Sequence, residues 1–85
     1  MKSDLLTIPG IGETFVKDFA RIGIFHVRDL RNKKPEMLFK KLVVANQTVG
    51  HKTSKNYLYV LRLAVYVANG GNDKIKLTWS AWKDV

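Results

Sequence analysis

The strongest constraint on the fold is a cluster of helix-breaking residues inside an otherwise apolar run. The sequence LLTIPGIGETF, residues 5–15, places Pro9, Gly10 and Gly12 between two segments with helical spacing. Proline removes a backbone donor, and a glycine after it favours the end of a helix. We therefore expect a short first helix, capped by Ser3 and Asp4, and a second helix directly after the glycines.

Apolar spacing predicts the helices that follow this turn. The second helix should end at Gly23, and its apolar stripe consists of Phe15, Val16, Phe19 and Ile22. Residues 27–30 favour a short helical turn in the connector. Pro35 suits the start of a third helix that runs to Val44. The expected buried residues of that helix are Met37, Leu38, Leu42 and Val43.

The last third of the chain predicts a central helix and a tail. Residues 57–68 are apolar nearly all round, which is typical of a helix buried on most sides, and Thr53 or Ser54 can cap it. The tail KIKLTWSAW alternates apolar and polar residues, which favours an extended arm or a short strand docked through its tryptophans. We expect one all-α domain of about five short helices with an ordered C-terminal tail. Its parts are a first hairpin at 3–23, a connector at 24–44, a second hairpin at 45–69 and a tail at 70–85.

The charge distribution indicates a polyanionic partner. The chain has 85 residues with fifteen Lys and Arg against seven Asp and Glu, a net charge of +8. Residues 31–62 hold eight basic residues against one acidic residue, whereas residues 1–30 hold four of each. Such a domain favours nucleic acid or an anionic surface. Without cysteine there is neither a disulfide nor a thiolate metal site, and the absence of a signal peptide or a membrane-spanning run indicates a cytoplasmic protein with no membrane partner.

The Pro-Gly-Ile-Gly turn has a direct chemical use. Successive backbone N–H groups followed at once by a helix N-terminus form a site for a phosphate oxygen, and glycine allows close approach. Such contacts touch no base edge and are independent of sequence. The alternative is that the turn only closes a pair of helices. In both cases Ile11 is expected in the core.

The stretch LLTIPGIGETFVKDFARIGI resembles the helix-hairpin-helix motif of non-sequence-specific DNA-binding domains. The resemblance implies that amides around Gly10, Ile11, Gly12 and Thr14 face a DNA phosphate, and it allows a weakly held monovalent cation on the hairpin carbonyls. We add Lys17, on the polar side of the second helix, to this candidate set. Thr14 and Val16 depart from the basic and small residues that the family often carries there, and Glu13 places a negative charge at the helix start.

A second, degenerate copy of the motif lies 38 residues further on. Val49-Gly50-His51-Lys52 then aligns with Ile11-Gly12-Glu13-Thr14, and VGHKTSKNYL resembles the start of another second helix. Two such hairpins form the tandem, SAM-like arrangement that straddles the phosphates of two strands. The candidate residues of this copy are Gly50, Lys52, Thr53 and Lys55. The alternative is a chance match in a segment rich in turn residues.

Most of the chain, from Leu5 to Asp84, also resembles the helix-hairpin-helix proteins known as pathogenicity locus or mitomycin-resistance proteins. The segments that carry this resemblance are LLTIPGIG, GIFHVRDLR, PEMLFKKL, YLYVLRLAVYVA and WSAWKD. The chain departs from the family before the long helix, where KTSKN replaces an Asp-Pro pair. The resemblance supports the fold more than a function.

No catalytic constellation emerges from the sequence. His26 and His51 are far apart, and the acidic residues lack metal-ligand spacing. We expect no enzyme and no cofactor beyond the monovalent cation. The leading hypothesis is a DNA-binding domain that contacts backbone phosphates. The alternatives are a protein-interaction module that forms a homodimer or docks a partner, and an RNA-binding protein. Trp79 and Trp82 favour a lid on the core over base stacking.

Overall fold

The structure, a computed structural model, describes residues 4–83 and is all-helical over that range. It contains three α-helices: α1 at Glu13–Arg21, α2 at Pro35–Thr48 and α3 at Asn56–Ala68. The other helical segments are single 3-10 turns at Asp4–Thr7, Val27–Leu30, Lys74–Leu77 and Trp79–Trp82. Three α-helices therefore replace the expected five, and Ser3, the proposed first cap, lies outside the described residues.

The Pro-Gly turn is formed by local chemistry alone. The Ile11 N–H donates to the Ile8 carbonyl oxygen at 3.2 Å, which closes a four-residue turn. Pro9 occupies its second position and Gly10 its third, with a Gly10 φ of +87° that side chains with a Cβ rarely adopt. Gly12 then has an extended backbone and is the N-cap of α1. The predicted end of one helical segment and start of the next are both confirmed.

All three α-helices end with the same pair of backbone hydrogen bonds around a glycine. At the end of α1, the Ile24 N–H donates to Phe19 O at 2.9 Å and the Gly23 N–H donates to Ala20 O at 3.2 Å. Gly50 and Gly70 hold the equivalent place after α2 and α3. The prediction that Gly23 ends the second helical segment is confirmed.

The core lies along α3, which packs against α2 and the connector turn. Leu61, Leu63 and Ala64 of α3 are fully buried. Leu61 and Ala64 belong to a core that also includes residues of α1, α2 and the first hairpin, namely Leu5, Ile8, Ile11, Phe15, Phe19, Leu38 and Leu42. The predicted central position of this helix is confirmed. Within residues 4–83, no helix combines the length and the apolar content needed to cross a bilayer.

The connector turn at 27–30 is held by carboxylates. The Asp29 carboxylate accepts hydrogen bonds from the backbone N–H groups of Phe25 and His26, both at 3.0 Å. The bond from the Phe25 N–H, and then the bond from the His26 N–H, lower the pKa of the Asp29 carboxyl. The Asp4 carboxylate accepts from the Val27 N–H at 3.2 Å and so ties the first 3-10 turn to the connector.

The structure corrects two expectations about α2. The helix continues past Val44 to Thr48, whose hydroxyl donates to the Val44 and Ala45 carbonyl oxygens at 3.1 and 2.7 Å. The segment ANQT is therefore helical although its composition favours a turn. Met37, predicted to be buried, is 57% exposed because it lies on the opposite side of the helix from Leu42.

The tail docks on α3, but not as a strand or an extended arm. It forms two 3-10 turns, since the Trp82 indole N–H donates to Lys76 O at 2.9 Å and folds the segment back. Arg62 of α3 donates to Trp82 O at 2.8 Å, and the Trp82 ring lies against Tyr66 with ring centroids 5.2 Å apart. Trp82 is half-buried against α3, whereas Trp79, expected to share the role of a lid, is exposed at 38%.

Candidate nucleic-acid interface

The N-termini of α1 and α3 lie side by side at one end of the molecule. Phe15 is in the first turn of α1 and Tyr57 is the second residue of α3, and their rings stack with centroids 4.7 Å apart. Each helix N-terminus has backbone N–H groups without a helical acceptor and carries a partial positive charge. The two predicted phosphate sites therefore belong to one end of the fold.

The first hairpin presents several unpaired amides. The first helical bond runs from the Val16 N–H to Gly12 O at 3.1 Å. Within residues 4–83, the N–H groups of Gly10, Gly12, Glu13 and Thr14 have no backbone partner. The Ile11 N–H, by contrast, already donates to Ile8 O, and the Ile11 side chain is buried at 6% exposure. This hydrogen bond removes the Ile11 amide from the predicted phosphate-facing set and leaves Ile11 as a core residue.

Gly12 is under no conformational or steric requirement to be glycine. Its φ of −108° is open to any residue, and a Cβ built there meets no atom within 4 Å. Gly10 differs, because its φ of +87° requires glycine for the turn itself. Gly12 also lies at the N-cap, where its lack of a side chain leaves the neighbouring amides accessible. Conformation therefore requires glycine at position 10, whereas at Gly12 neither the backbone nor a neighbouring atom requires it.

The second hairpin differs from its predicted form. Gly50 does not correspond to Gly12: its φ is +74° and its N–H donates to Gln47 O at 3.1 Å, as expected of a glycine that ends a helix. Helix α3 begins six residues later, at Asn56, rather than directly after Gly50. The alignment of Gly50 with Gly12 was therefore wrong, because α2 is longer than its composition suggests, whereas the apolar run at 57–68 predicted the extent of α3 to within one residue. Neither Thr53 nor Ser54 is the N-cap of α3, a position that Lys55 holds without a side-chain cap.

The α2–α3 turn, residues 49–55, still concentrates donors and positive charge. Lys52 and Lys55 are exposed, and in the described part of the chain the N–H groups of Lys52, Thr53 and Ser54 make no backbone hydrogen bond. The His51 Nε2 and the Tyr57 hydroxyl oxygen are 3.5 Å apart. The turn is therefore a basic, amide-rich loop that lies just before α3.

Two adjoining surface depressions join the first hairpin to this turn, and His51 lines both. One also contains Thr14, Lys17, Asp18, Arg21 and Val49. The other also contains Val43, Gln47, Gly50, Lys52 and Thr53. The structure thus brings the predicted residues Thr14 and Lys17 of α1 next to the second candidate set.

A buried polar network beneath this surface was missed by the sequence reasoning. Asp18 is 1% exposed and Asn46 is fully buried, and Arg21 donates to both. Burial, together with the neighbouring Asp18 carboxylate, raises the pKa of the Tyr57 hydroxyl. The spacing of Asp18 and Arg21 three residues apart on a helix was the only available signal. Nothing local marks Asn46 as their partner.

The remaining lysines of the middle segment provide charge without forming a site. Lys33, Lys34, Lys40 and Lys41 are exposed before and along α2. The negative charge nearest the first hairpin is Glu13, the exposed first residue of α1. Over residues 4–83, no cluster of three or more His, Cys, Asp or Glu side chains is placed to hold a metal ion.

Comparison with known proteins supports the family but gives no closer relative. Residues 2–85 match the sequence model of the family described as Pathogenicity locus. No curated protein and no solved structure matches the chain. The match covers the hairpin, all three α-helices and the tail. The chain therefore belongs to the Pathogenicity locus family.

Proposed function

We propose that this protein is a non-catalytic DNA-binding domain that holds backbone phosphates without reading sequence. The observation that carries the proposal is the side-by-side placement of the α1 and α3 N-termini, fixed by the stacking of Phe15 on Tyr57 at 4.7 Å. Unpaired amides and exposed lysines occupy that one end. In this proposal the chain forms two helix-hairpin-helix units. The second unit consists of α2, the α2–α3 turn and α3.

The two units contribute different chemistry. The first hairpin offers the amides of Gly10, Gly12 and Thr14 next to an accessible N-cap, but its local charge is close to neutral. The α2–α3 turn offers the charges of Lys52 and Lys55. Amides position phosphate oxygens, and lysines provide the counterion release that drives most non-specific binding. Each unit therefore supplies what the other lacks.

Titration of a short labelled DNA duplex at about 50 and 200 mM salt tests the proposal. The wild-type protein should bind unrelated sequences equally and lose affinity steeply with salt. The variant Lys52→Ala/Lys55→Ala should reduce the slope of log K against log salt by about 1.8, since each phosphate contact contributes about 0.9.

The matched control removes the same charge from the opposite end of α3. In Lys74→Ala/Lys76→Ala the net charge falls equally, but both residues belong to the tail turn beyond the C-terminus of α3. This variant should keep the wild-type salt slope. No binding by the wild-type protein at the lower salt concentration, or equal losses in both variants, would contradict the proposed site. An RNA duplex in the same assay decides between DNA and a general polyanion.

A protein-interaction role is the second candidate, and one observation favours it. Met37 and Val44 lie seven residues apart on the same exposed side of α2, at 57% and 67% exposure. Phosphate contacts do not use apolar side chains. Self-association through this side predicts a mass that rises with concentration in sedimentation equilibrium and returns to that of the monomer in Met37→Ser/Val44→Ser.

A further inference from the structure

A chain of partly buried hydrogen bonds links α1 to the α2–α3 turn. Arg21 Nη1 donates to Asp18 Oδ1 at 2.5 Å and to Asn46 Oδ1 at 3.0 Å. Asn46 Nδ2 donates to Thr53 Oγ1 at 2.9 Å. We call Asp18, Arg21, Asn46 and Thr53 the polar tie. It crosses three parts of the fold, namely α1, α2 and the turn that carries the basic residues.

Asn46 holds the turn in two ways. Its carbonyl oxygen accepts from the His51 N–H at 2.8 Å, and its side chain donates to Thr53. Thr53 lies directly after Lys52 and two residues before Lys55. The turn has one further side-chain hydrogen-bond contact with a helix among the described residues, between His51 Nε2 and the Tyr57 hydroxyl oxygen. Its length of 3.5 Å exceeds the 2.9 Å of the bond from Asn46 to Thr53. The path of the turn on both sides of Lys52 therefore depends on Asn46, whereas Lys55 is held by α3, whose Leu58 N–H donates to Lys55 O at 3.0 Å.

The tie is costly unless it serves a positional purpose. The Asp18 carboxylate and the Asn46 amide are removed from water, whereas the Arg21 side chain is 37% exposed. Apolar residues of similar size often stabilise a core as well as buried polar groups do. Directional hydrogen bonds differ from apolar contacts because they specify one geometry. Here the geometry that they specify is the separation between α1, with Thr14 and Lys17, and the α2–α3 turn.

We infer that Asn46 and Arg21 are positioning residues that set the span between the two phosphate-binding units. Asn46 has no solvent exposure and so acts without touching the nucleic acid, whereas Arg21 lines the depression beside Thr14 and Lys17 and joins that surface to Asn46. DNA phosphates have a fixed spacing, so a turn free to move loses affinity even with its lysines intact. This inference rests on the proposed function, because it names the residues that set the distance between the two phosphate-binding units of that site.

The decisive experiment combines Asn46→Ala with the lysine variant in the same duplex titration. Asn46→Ala alone should lower affinity less than Lys52→Ala/Lys55→Ala and should reduce the salt slope by up to about 0.9, the contribution of one phosphate contact. Because Asn46 acts through Lys52, adding Asn46→Ala to the lysine variant should cause no further loss. The effect of Lys17→Ala should remain additive with Asn46→Ala.

Thr53 variants provide a test that leaves the core untouched if Asn46→Ala does not fold. Thr53→Val removes the acceptor and should reproduce the loss of affinity, but it should cause no further loss when added to Lys52→Ala/Lys55→Ala, since a direct contact of Thr53 with phosphate would add to that variant. Thr48→Val is the matched control, since the Thr48 hydroxyl is exposed and bonds only to carbonyls of its own helix.

The outcomes separate this inference from the proposed function. Wild-type protein that binds no DNA overturns both. Wild-type binding together with an unchanged salt slope in folded Asn46→Ala and in Thr53→Val overturns the inference alone. Losses that add fully to those of the lysine variant also overturn it, because they would show that Asn46 acts on stability and not on the turn.

Discussion

Replacement of Gly12 by alanine separates a ligand requirement from a folding requirement. Gly12 has a φ of −108°, and an added Cβ meets no atom within 4 Å, so alanine fits without strain. Gly10, two residues earlier, is the matched control because its φ of +87° is unfavourable for alanine. The two variants add the same methyl group to the same hairpin.

The expected effects on stability follow from the backbone. At Gly12, alanine is a poorer N-cap by about 0.5–1 kcal/mol, but it reduces the freedom of the unfolded chain by a similar amount. These contributions nearly cancel, so the free energy of unfolding should stay within about 0.5 kcal/mol of wild type. At Gly10, the left-handed conformation costs alanine about 1–2 kcal/mol, which lowers Tm by roughly 4–16 °C in a domain of this size.

The two variants should have the reverse order in DNA affinity: Gly12→Ala should weaken binding more than Gly10→Ala. A methyl group at Gly12 prevents a phosphate oxygen from reaching hydrogen-bond distance of the amides around the N-cap. Loss of one hydrogen bond to a charged group costs about 1.5–3 kcal/mol, or about tenfold to a hundredfold in Kd. Thermal melts followed by circular dichroism give the stability, and fluorescence anisotropy with a labelled duplex gives the affinity. A folded Gly12→Ala protein with wild-type affinity would refute the assignment of the phosphate site to this hairpin.

Three further predictions concern stability. In Gly71→Ala the new Cβ would lie 2.3 Å from the Tyr66 ring, so the ring must move, and urea denaturation should show a loss of about 1–3 kcal/mol. Because the pKa of the Tyr57 hydroxyl is raised in the folded protein, the unfolded chain loses this proton at a lower pH than the folded protein does. Stability should therefore decline above about pH 10, and denaturation across graded alkaline pH should show a smaller decline in Tyr57→Phe. The lowered pKa of Asp29 gives stability the opposite pH dependence. The stabilisation from this carboxylate is complete above about pH 4 and is lost as the pH falls through the folded-state pKa. Acid denaturation of Asp29→Asn should lack this component, and an unchanged acid transition would contradict it.

Expectations that depended on a few neighbouring residues agree with the structure. The Pro9–Gly10 turn, the end of α1 at Gly23, the connector turn at 27–30 and the start of α2 at Pro35 all lie where the sequence predicts. Each depends on a fixed φ, a missing donor or a glycine conformation, and these act within one turn of the chain.

The candidate site could be predicted only in part. The first hairpin was recognisable because its backbone chemistry is local. The second was misaligned, since Gly50 ends α2 instead of beginning α3. Its lysines were identified correctly as a basic segment, but their position relative to the first hairpin depends on contacts that no sequence window contains.

The sequence by itself determined an all-helical chain, the hairpin turn and the concentration of positive charge in residues 31–62. Tertiary structure decided where α2 ends, how the tail folds and which polar groups are buried together. The bond from Arg21 to Asn46 spans 25 positions in the chain. Such a contact exists only after α1 and α2 have packed, because the hydrogen bond offsets the cost of burial only when both partners have been brought within reach.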